Sequence, residues 1–310
     1  MNAISARGLR KSYGDKVVLG GIDFDVEEGS VFALLGPNGA GKTTIVNILC
    51  TLITPDAGSA TVAGADLAQN PDGIRRAIGV TGQFSAVDDL LNGEENLMLM
   101  ADLHRLPRRK SRAKVAGLLE RFELTEAAKA VPSTYSGGMR RKLDLAMTLV
   151  GDPRVIFLDE PTTGLDPRSR QAMWDIVADL VASGVTIFLT TQYLDEADHL
   201  ADRIAVLDHG RIIAEGTPEQ LKRRVPGGHV ELSFTDTDAL RRAATDLGVS
   251  PVGEAGLTLQ LPTDGSVASL RALLDRLDGV AVEGIAVHTP DLEDVFLVLT
   301  GHQPETEAVK

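Results

Sequence analysis

The chain has 310 residues, of which 43% are hydrophobic and 24% charged, and its net charge is −13 at pH 7. That length allows one large domain and a smaller one. The acidic balance argues against a nucleic-acid partner, because nucleic-acid surfaces normally carry a basic patch. Cys50 is the single cysteine, which excludes an internal disulfide and suits a reducing cytosol. No apolar run reaches the ~18 residues of a membrane-spanning helix, so any membrane role would come through a partner.

The first 35 residues contain short apolar runs separated by turn residues. This pattern predicts strands over 4–12, 17–19, 22–26 and 31–35. Tyr13 follows the first of these strands. Its ring could pack as an ordinary strand or turn residue, or it could stack on a nucleotide base, and the residue type alone leaves both interpretations open.

A glycine-rich stretch follows the apolar strand 31–35 and precedes a helical pattern. It fits the phosphate-loop pattern of Gly, four residues, then Gly-Lys-Thr. Its glycines let successive N–H groups turn inward, and the helix N-terminus adds a positive dipole end. We expect Lys42 to neutralise phosphates and Thr43 to bind Mg²⁺, so the chain is predicted to bind a nucleoside triphosphate. The predicted binding residues are Gly36, Pro37, Asn38, Gly39, Ala40, Gly41, Lys42, Thr43 and Thr44.

Helices replace strands in the middle of the chain. Residues 92–104 and 107–122 show helical periodicity, and no strand pattern interrupts them. We therefore expect a helical subdomain over about 84–150, inserted between strands of the main sheet.

Two acidic residues follow the next apolar run, at 155–158. Asp159 and Glu160 would lie at the carboxyl end of a buried strand, where open α/β sheets place their ligand sites. Carboxylates are costly to bury without a partner. The position therefore favours a metal-binding or catalytic role over a solvent-facing pair.

The remaining pattern divides the chain in two. A helix over 167–182, with Asp166 as its cap, and a hairpin at 204–214 complete a first domain expected to span 1–225. Pro, Gly and Gly at positions 226–228 predict a linker. After it, alternating strand and helix patterns predict a small α/β domain over 226–310, in which we find no catalytic constellation.

The stretch 135–139, Tyr-Ser-Gly-Gly-Met, separates one class of phosphate-loop protein from the others. A phosphate loop alone would leave GTPases, kinases and ATPases open. With this stretch ahead of Asp159, residues 4 to about 224 resemble the ATP-binding-cassette (ABC) family, whose motifs all appear here in order. The resemblance implies an α/β P-loop NTPase fold with a mixed-sheet core, an antiparallel β subdomain and a helical subdomain, followed here by the small C-terminal α/β domain.

The resemblance also assigns roles to single residues. Tyr13 would stack on adenine, and Gln83 would contact Mg²⁺ and the attacking water. Thr43 and Asp159 would complete the metal ligands, and Glu160 would polarise the hydrolytic water. ATP and Mg²⁺ are therefore the expected cofactors of an ATPase.

In this family one site is shared between two copies. Ser136, Gly137 and Gly138 would contact the γ-phosphate held by the phosphate loop and Lys42 of a second subunit. The resemblance therefore implies a head-to-tail homodimer that encloses ATP between its subunits.

Gln192 departs from the family's pattern, in which a histidine usually occupies this catalytic position. Glutamine can donate a hydrogen bond to the γ-phosphate but cannot carry a proton. Weakened hydrolysis is one interpretation, and a subfamily variant is the other. Residues 192–198, 290–297 and the small domain after 225 favour the second, because they resemble the daunorubicin/doxorubicin-resistance type of ATP-binding subunit.

That type of subunit powers the export of drugs, antibiotics or similar hydrophobic molecules through a separate integral membrane permease. The resemblance therefore implies a peripheral protein at the cytoplasmic face of the cell membrane. The alternative is a soluble ABC ATPase of translation or DNA repair, although those usually carry two cassettes or a long coiled-coil insertion. A third hypothesis is a regulatory module that binds ATP with little turnover because of Gln192.

Overall fold

The computed structural model describes residues 1–82, 86–224, 228–249, 257–263, 266–277, 280–288 and 290–300. The chain divides into two compact units, Met1–Pro218 and Glu219–Gln303. Among the described residues, no helix combines the length and the apolar character needed to cross a membrane.

Strands and helices alternate along the first unit. Its strands are β1 (Asn2–Tyr13), β2 (Lys16–Glu27), β3 (Val31–Leu35), β4 (Ala57–Val62), β5 (Ala65–Asp66), β6 (Ile78–Thr81), β7 (Val155–Asp159), β8 (Thr186–Thr191), β9 (Arg203–Asp208) and β10 (Arg211–Gly216). Its helices are α1 (Lys42–Leu49), α2 (Pro71–Ala77), α3 (Gly93–Leu103), α4 (Arg108–Arg121), α5 (Gly137–Thr148), α6 (Pro167–Ala182) and α7 (Leu194–Leu200), and α8 (Pro218–Lys222) begins at its end.

The core of this unit is a mixed sheet in the order β10-β9-β3-β8-β7-β6. All neighbours are parallel except β9 and β10, which form an antiparallel hairpin as predicted. Strands β3, β7 and β8 are buried along their whole length, which explains their continuous apolar runs. Since β3, β7 and β8 run in the same direction, the residues that follow them meet at one edge of the sheet.

A second, antiparallel sheet has the order β2-β1-β4-β5. The pattern at 17–26 predicts two short strands, but the structure has one long strand, β2. The reason is a bulge: Gly20 pairs with Arg10 and Ile22 with Leu9, which leaves Gly21 as the extra residue, at φ 106°. The strand therefore bends at its glycines without ending.

Aromatic rings join the two sheets. Phe24 from β2 packs on Phe32 from β3 and on Phe188 from β8, and Phe157 from β7 also contacts Phe188, with ring centroids 5.4–5.7 Å apart. Cys50 is buried in the same core. The rings fix the positions of the strands that carry the residues described below.

Helices α3, α4 and α5 follow one another with no strand among the described residues of 86–150. The first two agree with the predicted helices to within one residue at each end. Asn92 begins α3 with a capping box, in which its side chain accepts from Glu95 N and the Glu95 carboxylate accepts from Asn92 N.

The second unit is a small α/β structure. Its sheet has the order β12-β11-β13, formed by β11 (His229–Phe234), β12 (Thr258–Pro262) and β13 (Val282–His288), with helices α9 (Thr237–Leu247), α10 (Val267–Arg276) and α11 (Leu292–Thr300). Thr289 precedes the last helix and is of a residue type that commonly caps helices, so the sequence predicts it as the cap, but it lies outside the described residues. The structure begins that helix at Leu292, because Asp291 and Asp294 exchange hydrogen bonds between their N–H groups and carboxylates.

Candidate active site

The glycine-rich loop curves between β3 and α1, and two of its glycines have no room for a side chain. A Cβ on Gly36 would lie 2.3 Å from the carbonyl oxygen of Leu207, and one on Gly41 would lie 2.8 Å from Leu19 Cδ2. Gly41 also has φ 113°, which L residues rarely adopt. The β9–β10 hairpin supports the loop, since Gly210 N donates to Ala40 O at 3.1 Å.

Lys42 is buried, with 5% of its side chain exposed. Its Nζ donates to the carbonyls of Gly36 at 2.6 Å and Pro37 at 3.2 Å, and it lies 3.9 Å from Glu160 Oε1. An ammonium group is costly to bury without such partners. The loop therefore holds a positive charge inside its own curve, where a phosphate group would meet it.

Hydroxyl and carboxylate oxygens meet where α1 begins and where β7 and β8 end. Thr43 Oγ1 donates to Asp159 Oδ2 at 3.4 Å, and Thr190 Oγ1 donates to Asp159 Oδ1. The Asp159 side chain is 6% exposed. Mg²⁺ prefers hard oxygen ligands and usually takes one or two carboxylates from the protein, so this donor set fits that ion.

Glu160 adopts a left-handed backbone conformation, with φ 49°. Its N–H donates to Thr190 O at 3.0 Å, and Thr163 Oγ1 donates to its carboxylate at 3.4 Å. Positive φ is uncommon for a non-glycine residue, and such strain is concentrated at functional sites. The turn brings the Glu160 carboxylate next to Lys42.

These residues surround one pocket of about 310 Å³. Its lining combines the phosphate loop, the two acidic residues and the start of β2: Lys16, Val18, Pro37, Asn38, Gly39, Gly41, Lys42, Thr43, Thr44, Asp159 and Glu160. Lys16 and Val18 have no sequence signal, because only the pairing of β2 in the antiparallel sheet brings them here. Thr190 was also not predicted as a site residue from the sequence. Its position near the end of a buried strand parallel to β7 is a signal that could have indicated it.

Other predicted site residues lie outside the lining of this pocket. Tyr13 ends β1, is 52% exposed and is paired with Lys16, which does line the pocket. Gln192 follows β8 directly and is half-buried. Gln83 lies outside the described residues.

The stretch Ser136 to Gly138 forms the start of α5, away from that pocket's lining. Ser136 is the N-cap, and its Oγ accepts from Met139 N at 3.2 Å. Ser136 and Gly137 are exposed, and a Cβ on Gly138 would lie 2.7 Å from Ser169 Oγ of α6. Asp166 caps α6 as predicted, accepting from the N–H groups of Arg168 and Ser169. The start of α5 therefore presents a hydroxyl and helix N–H groups to solvent.

A buried carboxyl group lies behind the site, on α7. Glu196 is fully buried and accepts from Thr162 Oγ1 at 2.8 Å. Burial raises the pKa of Glu196, and the Thr191 and Thr162 hydroxyls only partly oppose it. The Trp174 indole also approaches this carboxyl, without a hydrogen bond of good geometry.

The second unit carries a cluster of His229, Glu231 and His288, whose ligand atoms lie within 4.8 Å of one another. The two imidazole rings stack at 4.6 Å with their planes 15° apart. Ring lone pairs lie in the ring planes, so two stacked rings do not direct them at one ion. The described arrangement is therefore a cross-strand stacking pair.

Comparison with known proteins agrees with this geometry. A family described as ABC transporter matches residues 19–163. A daunorubicin resistance ATP-binding protein, DrrA2 of Streptomyces coeruleorubidus, is 47% identical over 99% of this chain and 98% of the relative. The doxorubicin resistance ATP-binding protein DrrA of Mycobacterium tuberculosis is 48% identical over 98% and 95%. Nod factor export ATP-binding protein I of Ralstonia nicotianae is 40% identical over 97% and 94%.

Solved structures show the same fold. The ATP-binding subunit of an ABC transporter is 29% identical, with a TM-score of 0.65 over 72% of this chain and 92% of that one. A dimeric ATP-binding cassette in a post-hydrolysis state, bound to ADP and Pi, is 25% identical, with a TM-score of 0.62 over 69% and 98%.

Proposed function

This chain belongs to the ABC transporter family, and from that membership we propose that it hydrolyses ATP to power the export of a drug, antibiotic or similar hydrophobic molecule. Drug-resistance and export relatives match nearly its whole length, which does not favour the alternative in translation or DNA repair. The observation that carries the proposal is the cluster of Lys42, Thr43, Asp159 and Glu160 around one pocket at the start of α1.

The pocket residues divide the chemistry between them. Lys42 and the loop N–H groups bind the phosphates, and Thr43 with Asp159 would hold Mg²⁺, which when bound neutralises phosphate charge. Glu160 orients and polarises the attacking water, because its carboxylate lines the pocket beside Lys42. Phosphoryl transfer needs this positioning and charge neutralisation more than covalent chemistry.

Three further residues complete the proposed site. Tyr13 stacks on adenine, since it pairs with Lys16 at the pocket's edge and half of its surface is exposed. Gln83 would contact Mg²⁺ and the attacking water, as the family resemblance implies. Gln192 donates its amide to the γ-phosphate from the end of β8.

A second copy supplies the remaining contacts to the γ-phosphate. Ser136, Gly137 and Gly138 begin α5 at the surface and do not line the pocket of their own chain. A helix N-terminus with free N–H groups is suited to bind an anion. Two chains therefore pair head to tail with ATP between them, and the dimeric cassette among the structural neighbours supports this arrangement.

A mixing experiment tests the shared site. Lys42→Ala and Ser136→Arg should each abolish ATP hydrolysis in the pure variants. In an equimolar mixture, the heterodimer pairs an intact Lys42 loop with an intact Ser136 segment from the other chain. Activity should therefore return, to at most about a quarter of the wild-type rate, as random pairing leaves one good site in half of the dimers. No recovery would contradict the head-to-tail arrangement.

The export step requires a partner that crosses the membrane. We propose that two copies of this chain bind an integral membrane permease from its cytoplasmic face. Membrane vesicles that contain both proteins should accumulate daunorubicin when ATP is added, and vesicles with Glu160→Gln should not. The export function would be overturned if a pull-down with this chain recovered no integral membrane protein and the vesicles showed no ATP-dependent uptake.

A further inference from the structure

Arg141 joins the start of α5 to the acidic turn of its own chain. Its side chain is 13% exposed. Nε donates to Pro161 O at 2.9 Å, and Nη2 donates to the carbonyls of Asp159 and Glu160, each at 3.3 Å. One guanidinium group thus binds three successive carbonyls at the end of β7, in a segment that we call the carboxylate turn (159–161).

The same side chain reaches the end of β6. Arg141 Nη1 donates to Gly82 O at 3.2 Å and to Asp144 Oδ2 at 3.4 Å. Asp144 is buried, and its other oxygen accepts from Ala86 N at 3.1 Å. The pair therefore holds the two residues that flank 83–85, the segment that contains Gln83.

Burial of the Arg141–Asp144 ion pair has a desolvation cost. Desolvation lowers the pKa of Arg141 and raises the pKa of Asp144, and each partly compensates the other. A buried ion pair is weak support for stability, but breaking one leaves an uncompensated charge. The five donors of a planar guanidinium suit carbonyls that lie in several directions, whereas lysine has one compact ammonium group.

The carboxylate turn needs such a restraint. Glu160 has φ 49°, a strained conformation that persists only where the surroundings hold it. Arg141 binds the carbonyl on each side of that strained residue and its own carbonyl as well. Arg141 also lies five residues after Ser136 on one helix, or about 7.5 Å along the axis, so a single helix connects the Ser136 end of α5 to the turn.

We propose that Arg141 is a positioning residue that couples the Ser136–Gly138 end of α5 to Glu160 and to the residues flanking Gln83 in the same chain. This inference rests on the proposed function. In the ATP-bound dimer, the γ-phosphate bound by Ser136–Gly138 belongs to one site and Glu160 to the other. Arg141 thereby makes the position of Glu160 in one site depend on whether ATP is bound in the neighbouring site.

The test compares Arg141→Met with Arg140→Met in the full-length chain. Arg140 is the adjacent residue, and its ion pair with Asp89 is partly exposed, so it is a matched control. We expect Arg141→Met to lower kcat at least ~10-fold with KM within ~2-fold, since it removes positioning and leaves phosphate binding intact. The Hill coefficient for ATP should fall from a value above 1 to about 1, because the coupling between the sites is lost.

Amide hydrogen exchange gives a readout that does not depend on activity. Exchange should be faster in Arg141→Met than in Arg140→Met in peptides containing Glu160, and unchanged elsewhere in the sheet. Ala86 is compared with the wild type instead, because Arg140 itself donates to Val87 O. If the wild type itself hydrolyses no ATP, the proposed function fails, but the exchange comparison still tests the restraint. Equal kcat, Hill coefficient and exchange in the two variants would overturn the role of Arg141.

Arg141→Lys covers the case in which the methionine variant does not fold. Lysine keeps the charge but cannot span the separate carbonyls, so kcat should stay well below the wild-type value and the Hill coefficient near 1. A folded Arg141→Lys variant with wild-type kcat and cooperativity would show that charge alone suffices and would overturn the proposal.

Discussion

Asp159 and Glu160 are consecutive residues whose carboxylates both line the same pocket. Successive side chains of an extended strand point to opposite faces, so a strand that simply continued would separate them. The strand ends at Asp159, and the left-handed conformation of Glu160 turns its carboxylate back toward Lys42. One backbone turn therefore puts a potential metal ligand and a potential water-activating group in the same place.

Glu160→Gln tests the assignment of that second group. The amide keeps the volume of the side chain but cannot accept a proton, so we expect the rate of phosphate release to fall by about 10²–10⁴-fold while ATP binding persists. Stable ATP-bound dimers should then be visible by sedimentation. Glu126→Gln, at an exposed position, is the control and should leave the rate unchanged. Wild-type turnover in Glu160→Gln would contradict the assignment.

Gly36→Ala tests whether the loop needs its close approach to β9. The new Cβ would lie 2.3 Å from a backbone carbonyl, so the loop must shift, and nucleotide binding should be lost. Gly117→Ala in α4 is the matched control, because a Cβ there meets nothing within 4 Å. That change should stabilise the protein by about 0.5–1 kcal/mol through helix propensity. Nucleotide titration and thermal unfolding measure the two effects, and undiminished binding by Gly36→Ala would refute the packing argument.

Glu196 should make stability depend on pH. Burial raises the pKa of Glu196 above the ordinary value of 4.5. Its contribution to the free energy of unfolding is therefore complete below pH 4.5 and is lost as the pH rises through the native pKa. Glu196→Gln removes this titration and keeps an oxygen for the Thr162 hydroxyl. The free energy of unfolding of the variant relative to wild type should therefore increase as the pH rises above 4.5. A constant difference, measured by denaturant unfolding across pH, would contradict a raised pKa.

Gln192→Ala and Gln192→His test the unusual residue after β8. Loss of the amide donor should lower kcat by about 10-fold, in the range of one lost hydrogen bond to a charged group. Histidine can also donate to the phosphate, so Gln192→His should retain most of the wild-type rate. Steady-state ATP hydrolysis measures both. An unchanged rate in the alanine variant would remove Gln192 from the catalytic residues.

Local sequence signals predicted the elements that carry the site. The buried runs at 31–35 and 155–158 and the helix capped by Asp166 appear in the structure at or within a residue of the expected positions, and the β9–β10 hairpin appears within two residues. They could be predicted because hydrophobic periodicity, capping and turn chemistry act over a few residues. The glycine-rich loop could be predicted for the same reason, because its spacing alone requires a sharp curve before a helix.

The residues that sequence reasoning missed depend on long-range pairing. Thr190 reaches Asp159 because β8 lies beside β7 in the sheet, and Lys16 reaches the pocket because β2 folds back along β1. Arg141 carries no signal of its own: in an acidic chain it resembles any charged residue on a helix. Its five acceptors come from three parts of the chain that only tertiary packing brings together.

The sequence by itself determined that a phosphate loop, two acidic residues and a Ser-Gly-Gly helix start exist in this order, because each is encoded within a short stretch. Only the tertiary structure decided which of them share a pocket. It places Lys42, Asp159 and Glu160 together through parallel strands that end at one edge, and it leaves Ser136–Gly138 facing solvent at the start of another helix. The contacts of Arg141 depend on the tertiary structure, because its distant carbonyl acceptors lie within reach only where the strands are paired.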